Sequence, residues 1–133
     1  MKNMWSKIVL MSLLLFVSAG QVSAQKALIA CEKSVHQFGD IREADGKVSH
    51  TFVIQNEGDA PLVITNVTAS CGCTTPEWTK QPIPAGKTGT VKVTYDPTNR
   101  PGTFMKTVRV YGQGMSNGLI LTIRGNVLKA PAE

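Results

Sequence analysis

The sequence predicts an all-β chain folded as an immunoglobulin-like β-sandwich of about seven strands, and three observations predict it. β-Branched and aromatic runs alternate with clusters of Gly, Pro, Asn and Asp roughly every ten residues. Within the runs, apolar residues recur at alternate positions, the period of a strand with one face buried. No window after residue 25 keeps an amphipathic helical period for three turns, and no repeat, heptad or low-complexity tract is present. A small barrel with a similar strand count shares these features and stays open at this point.

The first run is Ala27 to His36, followed by a short apolar pair, Phe38 and Ile41, around Gly39. The second is Val48 to Asn56, with Val48, Phe52 and Ile54 on one face and Ser49, Thr51 and Gln55 on the other. Glu57 to Pro61 is a turn cluster. Leu62 to Ala69 makes the next strand, with Val63, Val67 and Ala69 in phase, and the stretch from Cys71 to Lys87, with its three prolines, reads as a loop. Thr90 to Tyr95 alternates Val91, Val93 and Tyr95, and Asp96 to Gly102 turns the chain. Thr103 to Tyr111 and Leu119 to Leu128 close the domain, the last with Leu119, Leu121, Ile123 and Val127 in phase.

Ahead of these strands the chain carries an export signal. Lys2 and Lys7 form a positive start, Ile8 to Ala19 is apolar apart from serines, and Val22-Ser23-Ala24 places small residues ahead of a cut before Gln25. The apolar stretch is shorter than the roughly 20 residues a membrane-spanning helix needs. Residues 1–24 are therefore expected to be a signal peptide and 25–133 a single domain. Leu28-Ile29-Ala30-Cys31 offers a rival, since it resembles the lipobox before a lipidated cysteine. Gln21, Ser23, Gln25 and Lys26 stand between the apolar run and Cys31, where a lipobox follows the run directly. Only lipidation of Cys31 would tether the product to a membrane.

Of the 133 residues, 14 are basic and 9 acidic, for a net charge of +5. The signal holds two of the basic residues and none of the acidic ones, so the mature chain carries +3. So mild a balance gives no reason to expect a nucleic-acid partner. A mature chain of this length fits one domain with its own core.

Several elements resemble a known family. They are His36-Gln37-Phe38-Gly39-Asp40-Ile41, Phe52-Val53-Ile54-Gln55-Asn56-Glu57-Gly58, Pro61-Leu62-Val63-Ile64, Ser70-Cys71-Gly72-Cys73-Thr74, Pro76-Glu77-Trp78, Ile83-Pro84-Ala85-Gly86 and Gly102-Thr103-Phe104. In this order they resemble the family DUF1573, exported bacterial domains similar to the Hydin-like and major-sperm-protein-like immunoglobulin sandwiches. The Ser-Cys-Gly-Cys-Thr core followed by Pro-x-Trp is specific, whereas Phe-x-x-x-Asn-x-Gly recurs across many sandwiches. The resemblance implies fold and export; it implies no activity, cofactor or catalytic residue.

Cys71 and Cys73 are the one constellation able to carry chemistry, and three readings stand. In an extended segment their Cα atoms lie about 6.6 Å apart, near the upper limit for a disulfide, and Gly72 permits a turn that shortens the distance. A disulfide in so tiny a ring is strained and easily reduced. Alternatively, two thiolates chelate a soft ion, copper or zinc, for which only His36, His50 and the methionines remain as further donors. Thirdly, the pair is two small buried thiols packed where a strand ends. Cys31, placed mid-strand and in the core, makes the thiol count odd and is a possible disulfide partner for either.

Other features point to packing. Trp78 and Pro76 sit in the predicted loop as recognition residues or as a lid over one end of the sandwich. No Gly-rich phosphate loop and no Ser-His-Asp set is present, so no enzyme activity and no cofactor are expected. The expectation is an exported binding or structural module that meets another envelope protein through a sheet edge or through the segment Cys71 to Gly86, its oligomeric state open.

Overall fold

In the computed structural model, which describes residues 27–129, two four-stranded sheets pack face to face. The chain runs through β1 (Ile29–Ala30), β2 (Val35–Arg42), a 3-10 turn (Glu43–Asp45), β3 (Val48–Asn56), β4 (Ile64–Ala69), β5 (Thr74–Trp78), β6 (Thr88–Tyr95), β7 (Gly102–Gly112) and β8 (Leu119–Leu128). One sheet has the order β1-β3-β6-β5 and the other β2-β8-β7-β4. All pairings are antiparallel except β2 with β8. The expected sandwich is therefore the fold, with eight strands. The expected signal peptide and its cut before Gln25 lie outside the described residues.

The alternation read from sequence is what closes the sandwich. Phe52 and Ile54 of β3, with Val91, Val93 and Tyr95 of β6, turn inward from one sheet. Val108 and Val110 of β7 meet them from the other, with Leu121, Ile123 and Val127 of β8. Burying each such side chain fully is worth roughly 1.5–3 kcal/mol. Leu62 and Ile83, both buried, join the turn after β3 to the segment before β6 through an isolated antiparallel bridge.

Three expectations change. The first run is two strands in different sheets, because the chain turns at Glu32-Lys33 and crosses before β2, which takes in Phe38 and Ile41. Cys31 consequently stands in that turn, half-buried, and not in mid-strand or in the core. In β4 the expected phase holds for Val67, which is buried, and for Ala69, which packs against the core, but not for Val63, in whose place Leu62 and Ile64 are buried. A register shift between Ile64 and Asn66 inserts an extra residue and reverses the alternation there. Finally, the predicted loop from Cys71 to Lys87 contains β5, so Pro76 and Trp78 are strand residues.

Candidate functional site

The direction of the backbone groups decides which edges can receive a partner. Asn56 N–H donates to Lys87 C=O on the β6 side, and Glu57 N–H donates to Leu28 C=O on the β1 side. Backbone groups alternate along a strand, so even residues of β3 face β6 and odd ones face β1. β1 covers only Gln55 and Asn56. Among the described residues no strand pairs with Ser49, Thr51 and Val53 on that side, and their N–H and C=O groups point to the open edge.

The other three edges carry interruptions. Asp96 N–H donates to Cys73 C=O and Thr79 N–H to Thr90 C=O, so odd residues of β5 face β6 and Pro76 turns its N–H-less nitrogen outward. Proline on the outward side of an edge strand blocks further pairing. β2 has a register shift between Gln37 and Asp40, where Gly39 adopts φ 72°, and β4 has the shift already described. Bulges at edges turn away added strands. Among the described residues only β3 presents an open five-residue stretch with neither proline nor bulge.

A groove of about 430 Å³ runs beside that stretch, lined by Cys31, Glu32, Lys33, His50, Val53 and Thr88 among others. Val53 is 57% exposed on its rim. The rim's charges, Glu32 and Lys33, are opposite in sign, so the groove favours a segment of low net charge.

His50 and His36 close the seam between the sheets next to this groove. Their rings stack at 3.6 Å and 7°, and each meets a phenylalanine edge-on, Phe52 at 4.7 Å and Phe38 at 4.6 Å. Both were expected on strands; their convergence across two sheets could not be read from spacing. Burial first, and the neighbouring His36 second, hold His50 below its ordinary value of 6.5. The unfolded chain therefore takes up a proton at His50 that the folded chain resists. Stability is unaffected above the ordinary histidine value and falls as pH drops through it towards the depressed one. Thermal unfolding should shift to lower temperature between pH 7 and pH 5, and the shift should shrink in His50→Gln. A pH profile identical in the two proteins would remove His50 as the cause. Asp96, held low by hydrogen bonds from Thr98, acts only in the more acid carboxylate range and does not confuse the test.

Cys71 and Cys73 stand where the chain leaves β4 in one sheet and enters β5 in the other. They are bonded to each other, with Cα atoms 5.2 Å apart, and Cys31 is a free thiol. Bonded to each other, the two sulfurs are not available as thiolate ligands. Among the described residues no group of three or more His, Cys, Asp or Glu is placed to hold a metal ion. Cys71 is partly buried and Cys73 buried. Burial raises the Cys31 thiol above its ordinary value, partly offset by a backbone hydrogen bond from Lys33, which keeps it protonated and unreactive. Trp78, on β5, lies under the Lys80 ammonium, 3.2 Å from its ring centroid.

Comparison with solved structures shows the fold alone. A protein of unknown function from Porphyromonas gingivalis W83 matches at TM-score 0.66 and 15% identity, over 80% of this chain and 50% of that one. The Vibrio cholerae VesB protease matches at TM-score 0.56 and 19% identity, over 76% of this chain and 31% of that one. A family 123 glycoside hydrolase from Clostridium perfringens matches at 0.57 and 10%, over 80% and 27% respectively. The chain thus spans half or less of each of these structures. Comparison with curated proteins returns no match. The family described as "Protein of unknown function (DUF1573)" matches residues 29–127, nearly all of the sandwich, and the chain belongs to that family.

Proposed function

We propose that the protein is an exported, non-enzymatic binding module of the periplasm or cell envelope, and that it takes an extended segment of another envelope protein onto the open edge of β3. The observation that carries this reading is the uncovered run from Ser49 to Val53, beside three edges that are each interrupted. A strand added there gains main-chain hydrogen bonds from Ser49, Thr51 and Val53, and the groove holds its alternate side chains. A segment rich in β-branched residues and low in charge suits both the exposed Val53 and the balanced rim.

Export rests on the signal-like leader, and the architecture supports the cut before Gln25. Removal of everything before Cys31 would delete β1 and the Leu28 carbonyl that receives Glu57 N–H. A disulfide between Cys71 and Cys73 also suits an oxidising compartment.

Thr51→Pro tests the edge. Thr51 N–H faces outward, so proline removes a donor a partner needs and leaves the β3–β6 bonds in place. The variant should fold and bind the envelope partner of the wild-type protein at least ~10-fold more weakly, the loss of a hydrogen bond plus a steric block. A double Cys71→Ser, Cys73→Ser variant should bind it unchanged. Equal capture of the same partner by wild type and Thr51→Pro would rule out the β3 edge.

A further inference from the structure

The bridge at the sheet-to-sheet corner encloses a single residue, Gly72. A cross-link stabilises mainly by restricting the unfolded chain, and the gain grows with the loop it closes. A bond between residues two apart is therefore a weak staple. The corner is also held without it. Ser70 N–H donates to Thr107 C=O at 2.9 Å, and Thr107 N–H donates back to Ser70 Oγ at 3.1 Å. Asp96 N–H donates to Cys73 C=O at 2.9 Å, and Thr74 N–H to Cys71 C=O at 3.2 Å. These bonds anchor the corner to β7 on one side and β6 on the other.

The two sulfurs are not equivalent. Cys71 is partly exposed, whereas Cys73 is only 6% exposed. Each has a donor beside it: Cys73 N–H points at Cys71 Sγ, 3.0 Å away, and the Thr74 hydroxyl lies 3.7 Å from Cys73 Sγ. A hydrogen bond to sulfur favours the thiolate, which is both the nucleophile and the leaving group of disulfide exchange. With a donor beside each sulfur, solvent access decides the order: attack falls on the more accessible Cys71, and Cys73 leaves.

We infer that Cys71 and Cys73 form a thiol–disulfide exchange site, with Cys71 the sulfur attacked and an external thiol as co-reactant. An incoming thiolate bonds to Cys71 Sγ, the Cys71–Cys73 bond breaks, and its electron pair goes to Cys73, whose thiolate takes a proton from solvent. A second co-reactant thiolate then attacks the co-reactant sulfur of the mixed disulfide and displaces Cys71 as a thiolate beside Cys73 N–H. The pair gains two electrons, and the co-reactant leaves as a disulfide. In the reverse direction the Cys71 thiolate attacks a co-reactant disulfide, and Cys73 closes the ring as the co-reactant thiolate departs. This site is separate from the β3 edge and stands or falls independently of it.

The test uses the mature protein with Cys31→Ser, equilibrated in glutathione buffers from reducing to oxidising, quenched by alkylation and weighed by mass spectrometry. The pair should titrate reversibly between bonded and doubly alkylated forms while circular dichroism stays native. With Cys73→Ser added, oxidised glutathione should modify Cys71 at least ~10-fold faster than it modifies Cys73 in the Cys71→Ser counterpart. Reduction that occurs only together with loss of the native spectrum would overturn the site. Equal rates in the two single-thiol variants would overturn Cys71 as the sulfur attacked, and the first experiment remains decisive if either variant fails to fold.

Discussion

Replacing Asn56 by Ala is expected to cost the fold about 2–4 kcal/mol, read as a lower urea midpoint at unchanged slope. Asn56 ends β3 and is fully buried. Its side-chain nitrogen donates to Ala60 C=O at 2.8 Å and to Ile83 C=O at 3.0 Å, and its oxygen accepts from Gly58 N–H at 3.0 Å. One amide thus binds the turn after β3 to the segment that leads into β6. Alanine removes all three hydrogen bonds at once, each worth about 0.5–1.5 kcal/mol net, while the Ile83 carbonyl keeps the Leu62 N–H. Asn56→Asp should be worse at neutral pH, because it sets a charged oxygen against two carbonyl oxygens in place of the NH₂ donor. A loss below about 1 kcal/mol in the alanine variant would mean that water replaces the amide there.

Asn56 also illustrates how far the sequence could be read. The Phe-x-x-x-Asn-x-Gly element marks it as part of a recurring turn, yet the partner on the far side, Ile83, is 27 residues away. Strands β3, β6 and β8 were legible because one face of each is buried and the alternation is clean. β5 was hidden by Pro76, which reads as a breaker when the strand's position at a sheet edge is unknown. The split of the first run into β1 and β2 leaves no periodic signal, since the turn at Glu32-Lys33 contains neither glycine nor proline. The phase of β4 failed at its bulge for the same reason: an inserted residue changes pairing, not composition.

Of the candidate sites, spacing alone brought Cys71 and Cys73 into question and Gly72 made a short turn possible, but their bonding to each other and not to Cys31 depends on the crossover. The open edge was legible only as a general property of sandwiches. Its location on β3 follows from the two-residue length of β1, and the inward and outward directions follow from register, neither of which composition carries. The histidine stack is likewise a product of topology, since His36 and His50 belong to different sheets.

Tyr95→Ala is expected to have the largest effect of any single truncation, about 3–5 kcal/mol. Tyr95 heads the fully buried side chains by volume, at 1% exposure. Its backbone pairs with Val48 on one side and Thr74 on the other, so it holds β3, β6 and β5 together at one end of the sheet. Its ring stacks on Phe104 of the opposite sheet, 4.1 Å away at 15°. Burial pushes the phenol up, which keeps it neutral through the physiological range. Tyr95→Phe keeps the stack and should cost less than about 1.5 kcal/mol. The stack makes Tyr95 and Phe104 a coupled pair, so the double alanine variant should lose about 0.5–1.5 kcal/mol less than the two single losses added together. Asn56 stands at the other end of β3, about 26 Å along the strand, and shares no partner with Tyr95. Losses at Asn56 and Tyr95 should therefore add. A strongly non-additive result for that distant pair, measured by urea unfolding in milder substitutions if the alanine variants do not fold, would mean that the two ends of the sandwich do not unfold as one cooperative unit.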